Sequence, residues 1–214
     1  MIKGAIFDLD GTLLDSMFIW DTIGEVYLRS LDIEPREILS ETFKTFTLEQ
    51  AAEYYREHYG VTLSVGEIVD GVNEMVAEIY RTKVALKKGV LEFLRDLRSK
   101  GVKMCVATVT DRPIVEDVLV SLGIRDFFVE ILTCAEVGYN KETPHIYRAA
   151  LEVLGTKKDE TVVFEDALHA LITAKKDGFK VAAVYDKHEE KQEKVKEIAD
   201  IYIEDFNTIL LKSF

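Results

Sequence analysis

The chain has 214 residues, 48% hydrophobic and 31% charged, with a formal net charge of −12; at roughly 100–200 residues per domain this is one domain, or a main domain with a smaller one inserted. The acidic balance argues against nucleic acid and anionic membranes as partners, and no apolar run approaches the roughly 20 residues of a membrane helix. Two cysteines, Cys105 and Cys134, do not make a disulfide framework and read as reduced thiols; with Met1-Ile2-Lys3-Gly4 lacking a signal peptide's apolar core, a cytoplasmic location is expected.

Gly4-Ala5-Ile6-Phe7 is a short apolar strand leading into Asp8. Some 70 residues without a convincing strand follow. Met17–Leu31 has helical apolar spacing at Ile19, Trp20, Ile23, Val26 and Tyr27. Glu34–Phe43 reads as a short helix with Pro35 tolerated near its start. Thr47–Tyr59 is a helix opened by a Thr47/Gln50 capping box and stopped by Gly60, and Ser64–Lys83 a longer one opened by Ser64 and Glu67. Residues 17–83 thus read as an all-helical insertion between core segments 1–16 and 84–214.

Regular alternation then sets in. Helices are predicted over Gly89–Ser99, Pro113–Leu122, Pro144–Leu154, Leu168–Asp177 and Glu189–Ala199, with a last one over Phe206–Leu211. Strands are predicted over Val102–Thr108, Val129–Thr133, Thr161–Phe164, Lys180–Tyr185 and Asp200–Ile203. Such spacing implies βαβ units and a parallel sheet, hence an α/β fold.

In open parallel sheets, ligands bind outside the carboxyl ends of the strands. There the chain delivers Asp8-Leu9-Asp10-Gly11-Thr12, Thr108 and Glu165-Asp166, with Lys141 a short loop beyond Ile131-Leu132-Thr133. Asp8 and Asp10, two apart on an extended strand end, project from the same side. One carboxylate can attack phosphorus, and the other can serve as general acid and then base. Asp8 and an acid from Glu165-Asp166 suit Mg²⁺, which takes one or two carboxylates with waters and phosphate. Thr108, Thr110 and Lys141, with Gly11 and Thr12 in the turn, are the candidate phosphate-binding residues. The plainer alternatives are an Asp-Gly turn, an N-cap cluster before Leu168, a strand-end threonine and a surface lysine. His58, His145, His169 and His188 form no ligand cluster in the sequence.

Taken in order, these runs resemble the haloacid dehalogenase-like superfamily, in its phosphatase and β-phosphoglucomutase-like branch with an inserted helical cap. The first motif stands as Asp8-Leu9-Asp10-Gly11-Thr12-Leu13-Leu14-Asp15-Ser16, the second as Val106-Ala107-Thr108, the third as Lys141 before Pro144, and the fourth as Phe164-Glu165-Asp166. The resemblance covers essentially the whole chain. It implies a Rossmann-like core and Mg²⁺-dependent hydrolysis of a small phosphorylated metabolite, a sugar or nucleotide phosphate, through an aspartyl-phosphate. It also implies roles. Asp8 is nucleophile and metal ligand. Asp10 is general acid/base and lends the metal its backbone carbonyl. Thr108 and Lys141 hold the phosphoryl group. Asp166 ligates the metal, and Glu165 is a further ligand, directly or through water.

Ala167 and Ala170 depart from the family's usual Ser and Gly, and losing the Ser removes a hydrogen bond beside the metal site. Two other readings stand beside hydrolysis. A β-phosphoglucomutase-like phosphotransferase is disfavoured, because Phe18-Ile19-Trp20 and Phe46-Thr47-Leu48-Glu49 lack the His and the basic residue that mutases of the family usually carry. A catalytically retired binding member is disfavoured by intact Asp8, Asp10, Lys141 and Asp166. A helical insertion joined by two crossings can act as a lid. Met17, Phe18, Trp20 and Phe46 are its candidate substrate contacts, although Ile19 and Trp20 fit the insertion's own core better. Arg81, Lys83, Lys87 and Lys88 read mostly as solvated, with one of them available for the leaving group.

Overall fold

The computed structural model describes residues 2–43, 46 and 48–209. The chain divides into two compact units, Met1–Asp15 with Ala85–Phe214, and Ser16–Val84.

The larger unit is built on six strands: β1 (Gly4–Phe7), β4 (Lys103–Thr108), β5 (Glu130–Thr133), β6 (Thr161–Glu165), β7 (Lys180–Val184) and β8 (Ile201–Ile203). They lie in the order β5-β4-β1-β6-β7-β8, and every pairing is parallel. All four residues of β1 are buried, the unbroken apolar run expected of a strand covered on both faces. It pairs with β4 on one side and β6 on the other, Phe7 lying opposite Val106 and Phe164. Gly4 admits a close approach, since a Cβ there would lie 2.6 Å from Thr156 Oγ1.

The helices of this unit are α5 (Val90–Ser99), α6 (Arg112–Ser121), α7 (Cys134–Val137), α8 (His145–Leu154), α9 (Leu168–Lys176) and α10 (Gln192–Ile198). Ile6, Cys105, Ala107, Val163, Val181 and Ala183 share one buried cluster with α8, α9 and α10. Alternation sends Phe7 and Phe164 the other way. Their rings stack at 4.4 Å, and Phe93 of α5 meets both edge-on.

The smaller unit is helical: α1 (Phe18–Ser30), α2 (Leu39–Phe43), α3 (Leu48–Tyr59) and α4 (Val65–Thr82). Its interior joins Ile19, Ile23, Tyr27 and Leu28 of α1 to Ala52 and Tyr55 of α3 and Ile68, Val72 and Val76 of α4. Ser64 and Glu67 form the expected capping box. The Thr47 cap lies outside the described residues. Trp20 is 41% exposed and Phe46 39%, so Trp20 is not core, while Ile19 is fully buried.

Four local features differ from expectation. Leu14–Asp15 (β2) and Ala85–Leu86 (β3) form a two-residue antiparallel ribbon, too short for any periodicity to reveal. The helix expected from Glu34 begins only at Leu39, whose N–H donates to Glu25 Oε1 at 2.7 Å; a carboxylate distant in sequence supplies its cap. Thr133 and Glu136 make a capping box for the unpredicted α7. Phe206–Thr208 is a turn, with the Asn207 N–H donating to Asp205 Oδ1 at 2.8 Å; Leu210 and Leu211 lie outside the described residues. Among the described residues no helix is long and apolar enough to cross a membrane.

Candidate active site

The carboxyl ends of β1 and β6 bring the predicted acids together. Asp8 leaves β1 with its N–H still donating to Phe164 O at 2.9 Å, so its backbone is fixed by the sheet. Asp8, Glu165 and Asp166 are all buried, and each offers a carboxylate oxygen within 4.8 Å of the others. Lys141, 4% exposed, enters from the loop before α8. Its ammonium donates to Asp8 Oδ1 and, at 2.6 Å, to Glu165 Oε1.

Two of the three buried carboxylates, Asp8 and Glu165, hold this buried ammonium, and Asp166 lies beside them. Burial, then the Glu165 charge, pushes the Asp8 carboxyl up to about 7, with Lys141 pulling against them. Burial, then Glu165 and Asp8, lifts Asp166 well above the carboxylate range, opposed by Lys87 and by the Thr12 hydrogen bond. Burial alone would lower Lys141, but Asp8 and Glu165 hold it well above the ordinary lysine value. The site is short of positive charge and rich in oxygen donors, the environment a hard divalent cation satisfies.

The turn after Asp8 is used internally. Gly11 has φ +80°, and a Cβ there would lie 2.7 Å from Asp166 Cγ, so glycine is required on both counts. Its N–H donates to Leu14 O at 3.0 Å. The fully buried Thr12 donates its hydroxyl to Asp166 Oδ1 at 3.0 Å. Both were expected beside the phosphate; here they shape the turn and orient Asp166. Thr108 is buried at the end of β4, and its hydroxyl oxygen accepts the Thr110 N–H at 3.1 Å. The Thr110 hydroxyl, likewise expected at the phosphate, donates to Asp10 Oδ2 at 2.6 Å. The Asp10 side chain thus accepts from Thr110, and its charge acts on Asp8.

A family model described as haloacid dehalogenase-like hydrolase matches residues 5–184. The chain belongs to this family. Among curated members of similar sequence, YhcW of Bacillus subtilis (strain 168) is 29% identical over 188 residues, covering 87% of this chain and 85% of its own. Hexitol phosphatase B of Escherichia coli (strain K12) is 27% identical over 176 residues, covering 81% and 79%. The crystal structure of CbbY from Rhodobacter sphaeroides in complex with phosphate superposes with a TM-score of 0.81 at 24% identity, covering 100% of this chain and 99% of that one; at that identity the likeness is one of fold.

Within this hydrolase fold, three supporting residues carry no sequence signal. Lys87, read as solvated, is mostly buried and pairs with Asp186 Oδ2 at 2.8 Å and Tyr185 O at 2.6 Å; its charge acts on Asp166. Tyr147 of α8 sets its hydroxyl 3.5 Å from Glu165 Oε1. Glu189, from the loop after β7, accepts the Leu168 N–H at 3.0 Å. Ala167 makes no side-chain cap for α9, and Glu189 supplies one from outside.

Proposed function

We propose that this hydrolase is a Mg²⁺-dependent phosphatase acting on a small phosphomonoester, of the sugar, polyol or nucleotide phosphate class, in a reducing compartment such as the cytoplasm. One observation carries the reading: a buried strand-end aspartate gripped by a buried lysine, with two further buried acids beside it. Family membership supports hydrolysis, and the hexitol phosphatase B relative supports a polyol or sugar phosphate.

In this reading Asp8, Asp166 and the main-chain carbonyl of Asp10 would hold a Mg²⁺. Glu165 already accepts from Lys141 and from the Asp166 and Ala167 amides at 3.0 and 3.1 Å, so its role is to fix Lys141 and this loop. When bound, Mg²⁺ neutralises charge between the attacking carboxylate and the phosphate. Lys141 lowers the same repulsion from the protein side, and Thr108 holds a phosphoryl oxygen. An Asp8 oxygen attacks phosphorus, the bond to the leaving oxygen breaks, and the Asp10 proton passes to that oxygen. Asp10 then takes a proton from water as the water oxygen attacks phosphorus and the bond to Asp8 breaks. We assign substrate choice to the helical unit Ser16–Val84. A panel of sugar, polyol and nucleotide monophosphates with p-nitrophenyl phosphate, run with Mg²⁺ and with EDTA, tests this. Phosphate release that needs Mg²⁺ is expected. Unimpaired release in EDTA, or formation of glucose 6-phosphate from β-glucose 1-phosphate without phosphate release, would contradict it.

A further inference from the structure

We propose that Thr110 is a positioning residue, whose hydroxyl holds the Asp10 carboxyl in place for proton transfer. The inference rests on Asp10 being the general acid of the reaction above.

The two residues come from the ends of hydrogen-bonded neighbours, β1 and β4, whose register sets Phe7 opposite Val106. The Thr110 hydroxyl donates to Asp10 Oδ2 at 2.6 Å, and its main-chain N–H donates to Thr108 Oγ1 at 3.1 Å. Both Thr110 donors are therefore spent inside the protein, and neither is left for a phosphoryl oxygen. The tie to Thr108 links the turn to the buried end of β4, so the sheet sets where the hydroxyl stands. A β-branched side chain is stiff at χ1, which makes threonine a firmer mount for that hydroxyl than serine. Asp10 is only partly buried, and the Thr110 bond ties one oxygen of its carboxyl to the β4 side of the site. Proton transfer demands heavy atoms within hydrogen-bond reach, about 2.6–3.2 Å. A bond donated to Oδ2 fixes the plane of the carboxyl that carries the proton to the leaving oxygen. It also keeps the group in place for the second half-reaction, when Asp10 accepts a proton from water.

The need for a delivered proton rises with the basicity of the leaving oxygen. The test compares kcat/KM, which reports the steps up to the first irreversible one, on p-nitrophenyl phosphate and on an alkyl ester such as sorbitol 6-phosphate. Thr110→Val removes the hydroxyl at nearly constant shape. It should lower kcat/KM on the alkyl ester about tenfold or more and on the nitrophenyl ester no more than about threefold, while Thr110→Ser restores most of the loss. Unchanged thermal unfolding confirms that the variant is folded. An equal loss on both esters would mean that Thr110 serves the phosphoryl group, and would overturn the proposal. No loss on the alkyl ester would overturn it too. Wild-type protein with no Mg²⁺-dependent turnover of either ester would overturn the phosphatase reading itself, and this inference with it.

Discussion

Lys141 concentrates the charge logic of the site. It is buried between two carboxylates, and an ammonium there is tolerable only because they accompany it. The same exchange of support recurs among the neutral side chains. Thr12 and Thr110 were candidates for the phosphate, yet each spends its hydroxyl on an aspartate. From sequence, a threonine beside a strand-end acid shows that a donor is present; whether the donor meets ligand or protein depends on turns a few residues long. Elsewhere a carboxylate works for stability alone. Arg148 and then Lys158 hold Asp177 below the usual aspartate range against the opposing effect of burial, with Lys158 Nζ 2.8 Å from Oδ2. A folded-state pKa below the unfolded one, about 3.9, gives stability that is present above that value and lost as pH falls through the folded one. Urea midpoints from pH 6 to pH 3 should therefore fall more steeply in wild type than in Asp177→Asn below about pH 4. Parallel curves would show that the cluster contributes nothing to folding.

Element boundaries depended on partners far along the chain. The α2 helix starts where Glu25 reaches its first amide, and α9 starts with Ala167, which cannot cap it, while Glu189 can. Neither carboxylate is near its helix in sequence, so capping rules that look within a few residues could not find them. Ala167 has no hydroxyl to cap α9, and the cap comes instead from the β7 loop, itself anchored by Lys87 on Asp186. Glu189→Ala should cost about 1 kcal/mol in urea unfolding, the usual worth of a lost cap, and weaken Mg²⁺ binding measured by calorimetry, because α9 begins two residues after Asp166. Adding Ala167→Ser in that background should recover part of both. Wild-type stability and Mg²⁺ affinity in Glu189→Ala would show that α9 needs no cap from Glu189.

At the scale of the molecule, the α/β class and the meeting of Asp8, Lys141, Glu165 and Asp166 were legible, because parallel sheets gather strand ends along one edge whatever the strand order. The order β5-β4-β1-β6-β7-β8 was not legible, since hydrophobic runs reveal strands but not their neighbours. The β2–β3 ribbon offered two residues a side, below any pattern. Lys87 and Glu189 sit in loops where a lone charged residue gives no sign of its partner. With a net charge of −12, the chain meets a phosphate against its overall field, so the account requires the edge holding Asp8 and Lys141 to provide attraction locally, with a metal's help. Its central claim is that Asp8 attacks phosphorus there. The decisive measurement is steady-state turnover of a cleaved phosphomonoester by Asp8→Asn at saturating Mg²⁺, with the variant's thermal unfolding recorded alongside. An amide cannot attack, so a folded variant should lose at least about a thousandfold in kcat. Near-normal turnover, with contaminating phosphatase excluded, would contradict the account.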